Sequence, residues 1–198
     1  MNKLMNNRNI ISKDTIIIVE GPQGAGKTTF TNYLREKMSS TDLYRLSGIK
    51  DKSETGFDKI KQRYNNLLTY MENCKNINMI FDRTFFSEEV YSRLGYKPYS
   101  FSELYEKLLN KLDNLNYDIY LVVLYLEDTS EYETRIKRDK HQYQKFDVKS
   151  SIEQQEAYLE LADEVSRKAD NIKVIKFNNN ANPNFEEEMQ KQFGELFQ

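Results

Sequence analysis

Thr15-Ile-Ile-Ile-Val19 runs straight into Glu20-Gly21-Pro-Gln-Gly-Ala-Gly26-Lys27-Thr28-Thr29, and the fold turns on how this stretch is read. The continuous β-branched run predicts a strand buried on both faces. Gly21 to Thr28 satisfies G-x-x-x-x-G-K-[ST], the pattern of a loop whose backbone N–H groups curl around phosphate oxygens. Glycine is needed there because a Cβ would obstruct the required dihedrals and the close approach. Lys27 supplies a point charge for the β- and γ-phosphates, and Thr28 a hydroxyl for Mg²⁺. A helix opening at Lys27 would add its free amides and dipole to the anion site. Gly21, Gln23, Gly24, Ala25, Gly26, Lys27, Thr28 and Thr29 are therefore the residues expected against the phosphates.

Outward from this stretch, two styles of apolar patterning alternate. Phe30, Leu34 and Met38 form a helical stripe, and Leu43 to Leu46 reads as a short strand. Ile60, Tyr64, Leu67, Leu68 and Met71 are helical again, and Ile77 to Phe81 returns to strand character. Leu104, Leu108, Leu109, Leu112 and Leu115 mark a long helix before Ile119 to Leu126, the longest strand candidate. Ile152, Leu159, Ala162, Val165 and Ala169 precede a strand at Ile172 to Phe177, and Phe185, Met189, Phe193 and Leu196 close with an amphipathic helix. Strands separated by helices predict a three-layer α/β fold, a five-stranded parallel sheet covered on both faces. One domain over residues 1–198 is expected, with residues 1–14 as a flexible lead. Asn178-Asn-Asn-Ala-Asn-Pro183 reads as a surface turn.

Composition narrows the classes. Hydrophobic residues make up 38 % and charged residues 30 %, a globular rather than a disordered balance. A formal net charge of −2 argues against nucleic acid as a partner, and one cysteine, Cys74, excludes a disulfide framework. The N-terminal stretch lacks the apolar core of a signal peptide, and Ile119 to Leu126 is too short to span a bilayer. No membrane association and a cytoplasmic location are the expectations.

Asn78-Met-Ile-Phe81-Asp82 is an apolar strand ending in a carboxylate, and Asp82 is the candidate to share a magnesium ion with Thr28. Glu20 is either a supporting carboxylate or a solvent-facing one. Val19-Glu-Gly-Pro-Gln-Gly-Ala-Gly-Lys-Thr-Thr29 followed by Phe81-Asp-Arg-Thr-Phe-Phe-Ser-Glu-Glu-Val-Tyr91 resembles the thymidylate kinase family and its relatives, the deoxynucleoside kinases. Asp82-Arg83 and Ser87 carry that resemblance. It implies a P-loop kinase fold with a helical lid, ATP as phosphoryl donor, Mg²⁺ as cofactor and a homodimer as an option. It also implies that Asp82 helps hold the metal and Arg83 the acceptor. Glu133, Arg135-Ile136 and Arg138 are similar to the family's lid entry, placing the lid at about 135–150, and Gln155 to Ala162 is similar to the helix after it.

Three departures bear on substrate. Gln23 stands where thymidylate kinases have an Asp, Arg45-Leu-Ser-Gly48 stands near their Arg-Glu-Pro segment, and the Glu-Pro of deoxynucleoside kinases is missing. The resemblance implies transfer of the ATP γ-phosphate to a (deoxy)nucleoside monophosphate, with a nucleoside 5′-hydroxyl as the alternative acceptor. A P-loop switch ATPase or a nucleic-acid kinase is the reading from a different class. Arg135 and Arg138 share one face at helical spacing and are candidates to close over the transferring phosphate, or else they form a solvated basic face. Catalytic candidates are thus Lys27, Asp82, Arg135 and Arg138; acceptor candidates are Arg83, Arg63, Tyr64 and Tyr91. Tyr64 also fits the apolar stripe, Phe85 and Phe86 read as core, His141 as a lone surface histidine and Cys74 as a small buried hydrophobe.

Overall fold

A computed structural model describes residues 13–48, 54–138 and 147–197. The order is β1 Thr15–Glu20, α1 Lys27–Lys37, β2 Thr41–Arg45, α2 Glu54–Asn73, β3 Asn78–Asp82, α3 Phe85–Arg93 and α4 Ser102–Asp113. It continues with β4 Asp118–Tyr125, α5 Glu131–Arg138, α6 Val148–Lys168, β5 Ile172–Asn178 and α7 Phe185–Phe193, then a 3₁₀ turn at Gly194–Leu196. All pairings are parallel and the strand order is β2-β3-β1-β4-β5.

The strands sort their side chains between two cores by simple alternation. Ile16 and Ile18 of β1, Met79 and Phe81 of β3, and Ile119, Leu121 and Val123 of β4 pack with α2, α3, α4 and α6. Ile17 and Val19, Ile80, and Tyr120, Val122 and Leu124 pack against Phe30 and Leu34 of α1 and Met189 and Phe193 of α7. A strand with apolar residues at every position is what two covered faces demand, so the β-branched run at 15–19 is read correctly. The three-layer α/β expectation matches the structure. Among the described residues no helix is long and apolar enough to cross a membrane.

One helix has no counterpart in the sequence reading. Phe85 to Val90 of α3 are buried without a break, including Ser87, Glu88 and Glu89. A helix buried nearly all round shows no amphipathic period, which hides it from pattern reading. Its acids survive through partners: Arg93 Nε and the Ser102 hydroxyl donate to Glu89 Oε1 at 2.7 and 2.9 Å, and Lys97 pairs with Glu88. Phe85 and Phe86 are core, as expected. Cys74 is only half-buried, on the rim of the larger core, because it follows the end of α2.

Parallel strands gather their C-terminal ends on one edge, where loops converge above the strands. Glu20 and the phosphate loop leave β1 there, beside Arg45 from β2, Asp82 from β3, Leu126 after β4 and Asn179 after β5. Residues scattered over 160 positions of chain are thereby brought to one rim.

Candidate active site

The loop at Gly21–Gly26 has the backbone its glycines permit. Gly26, the residue capping α1, has φ 88°, and a Cβ there would lie 2.5 Å from the Asn179 amide nitrogen. Gly21 has φ 141°, and a Cβ would lie 2.6 Å from the Leu124 carbonyl oxygen. Helix α1 has no side-chain cap and no acid in its first turn, so its amides and positive dipole end face the cleft uncompensated. Lys27 Nζ lies over the loop and donates to the Gly21 and Pro22 carbonyls at 2.8 and 2.7 Å. Burial, with the Arg83 guanidinium nearby, holds the ammonium well below the usual lysine range.

The Thr28 hydroxyl donates to Asp82 Oδ2 at 3.1 Å. Strand register brings this about: Val19 of β1 and Arg45 of β2 both lie across from Asp82. Arg45 Nε stands 3.9 Å from Asp82 Oδ2, and its far end donates to the Asn32 side chain. A hydroxyl and a carboxylate side by side are a hard-oxygen pair of the kind magnesium takes, usually with one or two protein carboxylates and the nucleotide itself. The residues present therefore fit that ion, although no group of three or more His, Cys, Asp or Glu side chains clusters for a metal among the described residues.

A cleft of about 480 Å³ joins these groups, lined by Gln23, Gly24, Gly26, Lys27, Thr28, Thr29, Arg45, Leu46, Ser47, Asp82, Arg83 and Arg138. The structure thus brings most of the phosphate-loop candidates together with Asp82, Arg83 and Arg138. A second cleft of about 550 Å³ opens on the other side of Gly26, between α5 and the turn after β5. It is lined by residues that include Thr134, Arg135, Arg138, Asn179 and Phe185. The turn read as mere surface therefore does more. Asn179 donates to the Ala25 carbonyl at 2.6 Å and is itself held by its amide on Tyr125 O.

The two lid arginines differ. Arg138 lines both clefts. Arg135 is pinned: it donates to the carbonyls of Gly24 and Asn179 and pairs with Glu131 Oε2 at 2.8 Å. Glu131 in turn accepts from the Ala181 amide at 2.9 Å. Arg135 is thus a strut between the phosphate loop and the turn after β5. Residues 139–146 of the lid candidate, His141 among them, lie outside the described residues, as does most of the N-terminal lead, while 147–150 form the cap and first turn of α6.

Of the acceptor candidates, Arg83 donates to the Tyr91 hydroxyl at 2.7 Å and to Ser87 Oγ at 3.4 Å. Arg63 donates to the carbonyl of Ser47, on the cleft wall, and its guanidinium lies over the Tyr64 ring. Tyr64 is a core residue, 4 % exposed, with its hydroxyl on Thr84 O at 3.3 Å and its ring against Phe85 and Phe101. The helical stripe decides its place, and it does not line the cleft. Arg45 does line it; the sequence reading set Arg45-Leu-Ser-Gly48 near the Arg-Glu-Pro place without counting Arg45 as a site residue, and strand register brings it level with Asp82.

Glu20 does not face solvent. It is fully buried, and burial pushes its carboxyl up to about 7 against the pull of the Ser87 hydrogen bond and the Arg83 charge. The chain also carries Asn110-Lys-Leu-Asp113, the Asn-Lys-x-Asp string of guanine-reading switch proteins. It lies in α4, where Asp113 accepts from the Asn171 amide just before β5, on the edge opposite the phosphate loop. It is too far round the sheet to touch a nucleotide bound at Lys27.

A parallel sheet with the phosphate loop after its central strand and an Asp-Arg pair on the next is the P-loop nucleotide-kinase fold. Thymidylate kinase, deoxyadenosine kinase and related P-loop proteins are among its structural neighbours. Thymidylate kinase from Candida albicans superposes with a TM-score of 0.61 at 14 % identity, over 92 % of each chain. YorR from Bacillus subtilis, solved with phosphorylated GDP, gives 0.61 at 20 % identity over 89 % of this chain and 98 % of that one. Deoxyadenosine kinase from M. mycoides gives 0.60 at 15 % identity over 91 % and 98 %. No protein-family model and no curated protein matches the sequence.

Proposed function

We propose that this protein is an ATP-dependent phosphotransferase whose acceptor is a (deoxy)nucleoside monophosphate. The observation that carries the reading is the pairing of Thr28 with Asp82 at 3.1 Å, in a cleft that Arg45, Arg83 and Arg138 also line. The amides of Gly21–Thr28 hold the donor phosphates, and Lys27 turns from the loop carbonyls to the β/γ-phosphates. Thr28 and Asp82 would hold Mg²⁺, which neutralises developing charge on the β- and γ-oxygens. An acceptor phosphate oxygen attacks the γ-phosphorus, the bond to the β–γ bridging oxygen breaks, and ADP leaves.

Two guanidinium groups near Asp82, Arg45 and Arg83, support a phosphate acceptor over a bare hydroxyl. An already ionised phosphate needs no general base, and the nearby carboxylate without a metal role, Glu20, is sealed in the core. The solved neighbours support transfer among nucleosides and nucleotides without choosing the acceptor: YorR was solved with phosphorylated GDP, and dCMP as a product of the M. mycoides enzyme is what phosphorylation of a nucleoside 5′-hydroxyl yields. The second cleft, beside Arg135 and Asn179, suits the donor base. The test is ADP release from MgATP with each nucleoside and nucleoside monophosphate in turn. Stimulation by a monophosphate is expected. Stimulation by nucleosides alone would move the acceptor to the 5′-hydroxyl, and hydrolysis indifferent to all of them would overturn the kinase reading.

A further inference from the structure

Glu20, the last residue of β1, turns its carboxyl group to the start of α3. Its Oε1 accepts from the Thr84 amide at 2.6 Å and the Thr84 hydroxyl at 3.1 Å, and its Oε2 accepts from the Ser87 hydroxyl at 2.6 Å. Ser87 Oγ is 2.7 Å from the hydroxyl of Tyr158 on α6. All four groups are buried. Between Asp82 and Thr84 sits Arg83, a non-glycine residue at φ 73°. Left-handed backbone is unfavourable for an L-residue and persists only where surroundings over-determine it. Here the Arg83 amide is fixed on Val19 O at 3.1 Å, and the Thr84 amide on Glu20.

A burial of this kind is costly for a carboxylate and would be cheaper as an apolar side chain. What it secures is direction: the turn aims the Arg83 guanidinium at Ser87 and Tyr91, on the acceptor side of Asp82. Helix α6 is joined to the same rim through Tyr158, through Gln154, whose Oε1 accepts the Gln23 amide at 3.3 Å, and through Gln155, whose Oε1 accepts the Leu126 amide at 2.8 Å.

We propose that Glu20, Ser87 and Tyr158 are positioning residues for Arg83: a buried hydrogen-bonded chain that holds the Asp82–Arg83–Thr84 turn in its left-handed geometry and so sets where the acceptor phosphate sits. The inference rests on the phosphotransfer reading above and adds to it, because none of the three touches the cleft.

The full chain and its Glu20→Ala, Glu20→Gln, Ser87→Ala and Tyr158→Phe variants are compared in two ways. The first is calorimetric titration with dTMP, dCMP, dAMP and dGMP and, separately, MgATP. The second is amide hydrogen exchange over Arg83–Ser87 without ligand. Losing a buried hydrogen bond to a charged or ionisable group predicts about tenfold or greater weakening of monophosphate binding in Glu20→Ala and Ser87→Ala, and a smaller loss in Tyr158→Phe. MgATP binding stays within about twofold, a split that general unfolding would not produce. Exchange at Thr84 rises about tenfold. Glu20→Gln keeps the acceptor for Thr84 and, with its amide N–H donating to Ser87 Oγ while the Ser87 proton turns to Tyr158, recovers most of the loss.

Equal weakening toward ATP and monophosphate, or unchanged monophosphate binding in a folded Glu20→Ala or Ser87→Ala protein, overturns the proposal. If Glu20→Ala does not fold, Ser87→Ala decides by the same criteria. A wild-type protein that binds none of the four monophosphates overturns the acceptor reading instead. The exchange comparison then judges the chain by itself: unaltered exchange at Thr84 in Ser87→Ala refutes it.

Discussion

Thr28 and Asp82 are separated by 54 positions of sequence and meet at 3.1 Å, hydroxyl to carboxylate, where α1 begins and β3 ends. Two oxygens side by side are the pair proposed above to hold magnesium. Asp82→Asn removes the negative charge and keeps the shape, so its kcat/KM should fall at least 100-fold while its melting temperature holds. Thr28→Ser keeps the hydroxyl and should lose less than tenfold. Turnover measured across a magnesium titration checks both, and an Asp82→Asn protein as active as wild type would remove the pair from the chemistry.

Arg135 and Arg138 stand one helical turn apart; Arg135 is tied to the Gly24 carbonyl and to the turn after β5, and Arg138 lines both clefts. Arg138→Ala should lower kcat by tenfold or more with donor KM little changed, as for a group acting on the transferring phosphate. Arg135→Ala should chiefly raise the KM for ATP and reduce thermal stability, because it removes a strut. The opposite assignment of the two effects would reverse the roles.

Gly26 combines φ 88° with Asn179 packed against it. Gly26→Ala places a side chain in left-handed backbone and drives it into that amide, so a loss of about 2 kcal/mol is expected, a drop of roughly 4–8 °C in melting temperature for a chain of this size. Asn179→Ala opens the space but forfeits the bond to the Ala25 carbonyl. The double variant should therefore lose less than the sum of the two single changes, measured by thermal denaturation.

Glu20 predicts the pH dependence. Its folded-state carboxyl lies near 7 and the unfolded one near 4.5, so between these values the folded chain holds the proton that the unfolded chain has released. The contribution of this group to stability is therefore greatest below about pH 4.5, falls as pH rises toward 7, and is flat above. The span of the change is about 3 kcal/mol. Relative to wild type, Glu20→Gln should gain stability between pH 5 and pH 8 in denaturant unfolding. A difference that stays constant with pH would show that the carboxyl does not titrate across folding.

Much of the fold was legible because its signals are local. Val19 and its neighbours alternate with nothing, Phe30 and Leu34 repeat at helical spacing, and both patterns follow from which faces each element buries. The geometry of the glycine loop was legible for the same reason: positive φ and close approach write themselves into the chain as Gly21 and Gly26. Helix α3 was not, because Phe85 to Val90 are buried on every side and leave no period to read. Tyr64 shows the limit in another way, since the residue that fits a stripe and the residue that fits a base look identical until the helix has a neighbour.

By itself, then, the sequence determined the strand–loop–helix unit at residues 15–37, the alternation that demands a covered parallel sheet, and the presence of an acid and an arginine at a strand end. Only tertiary structure decided that Arg45 and Asp82 share a level, that Arg135 braces while Arg138 lines the cleft, and that Glu20 lies in the core. Local patterns encode which face of an element is buried; strand order and register encode which distant residues share an edge, and that information resides in how the elements pack.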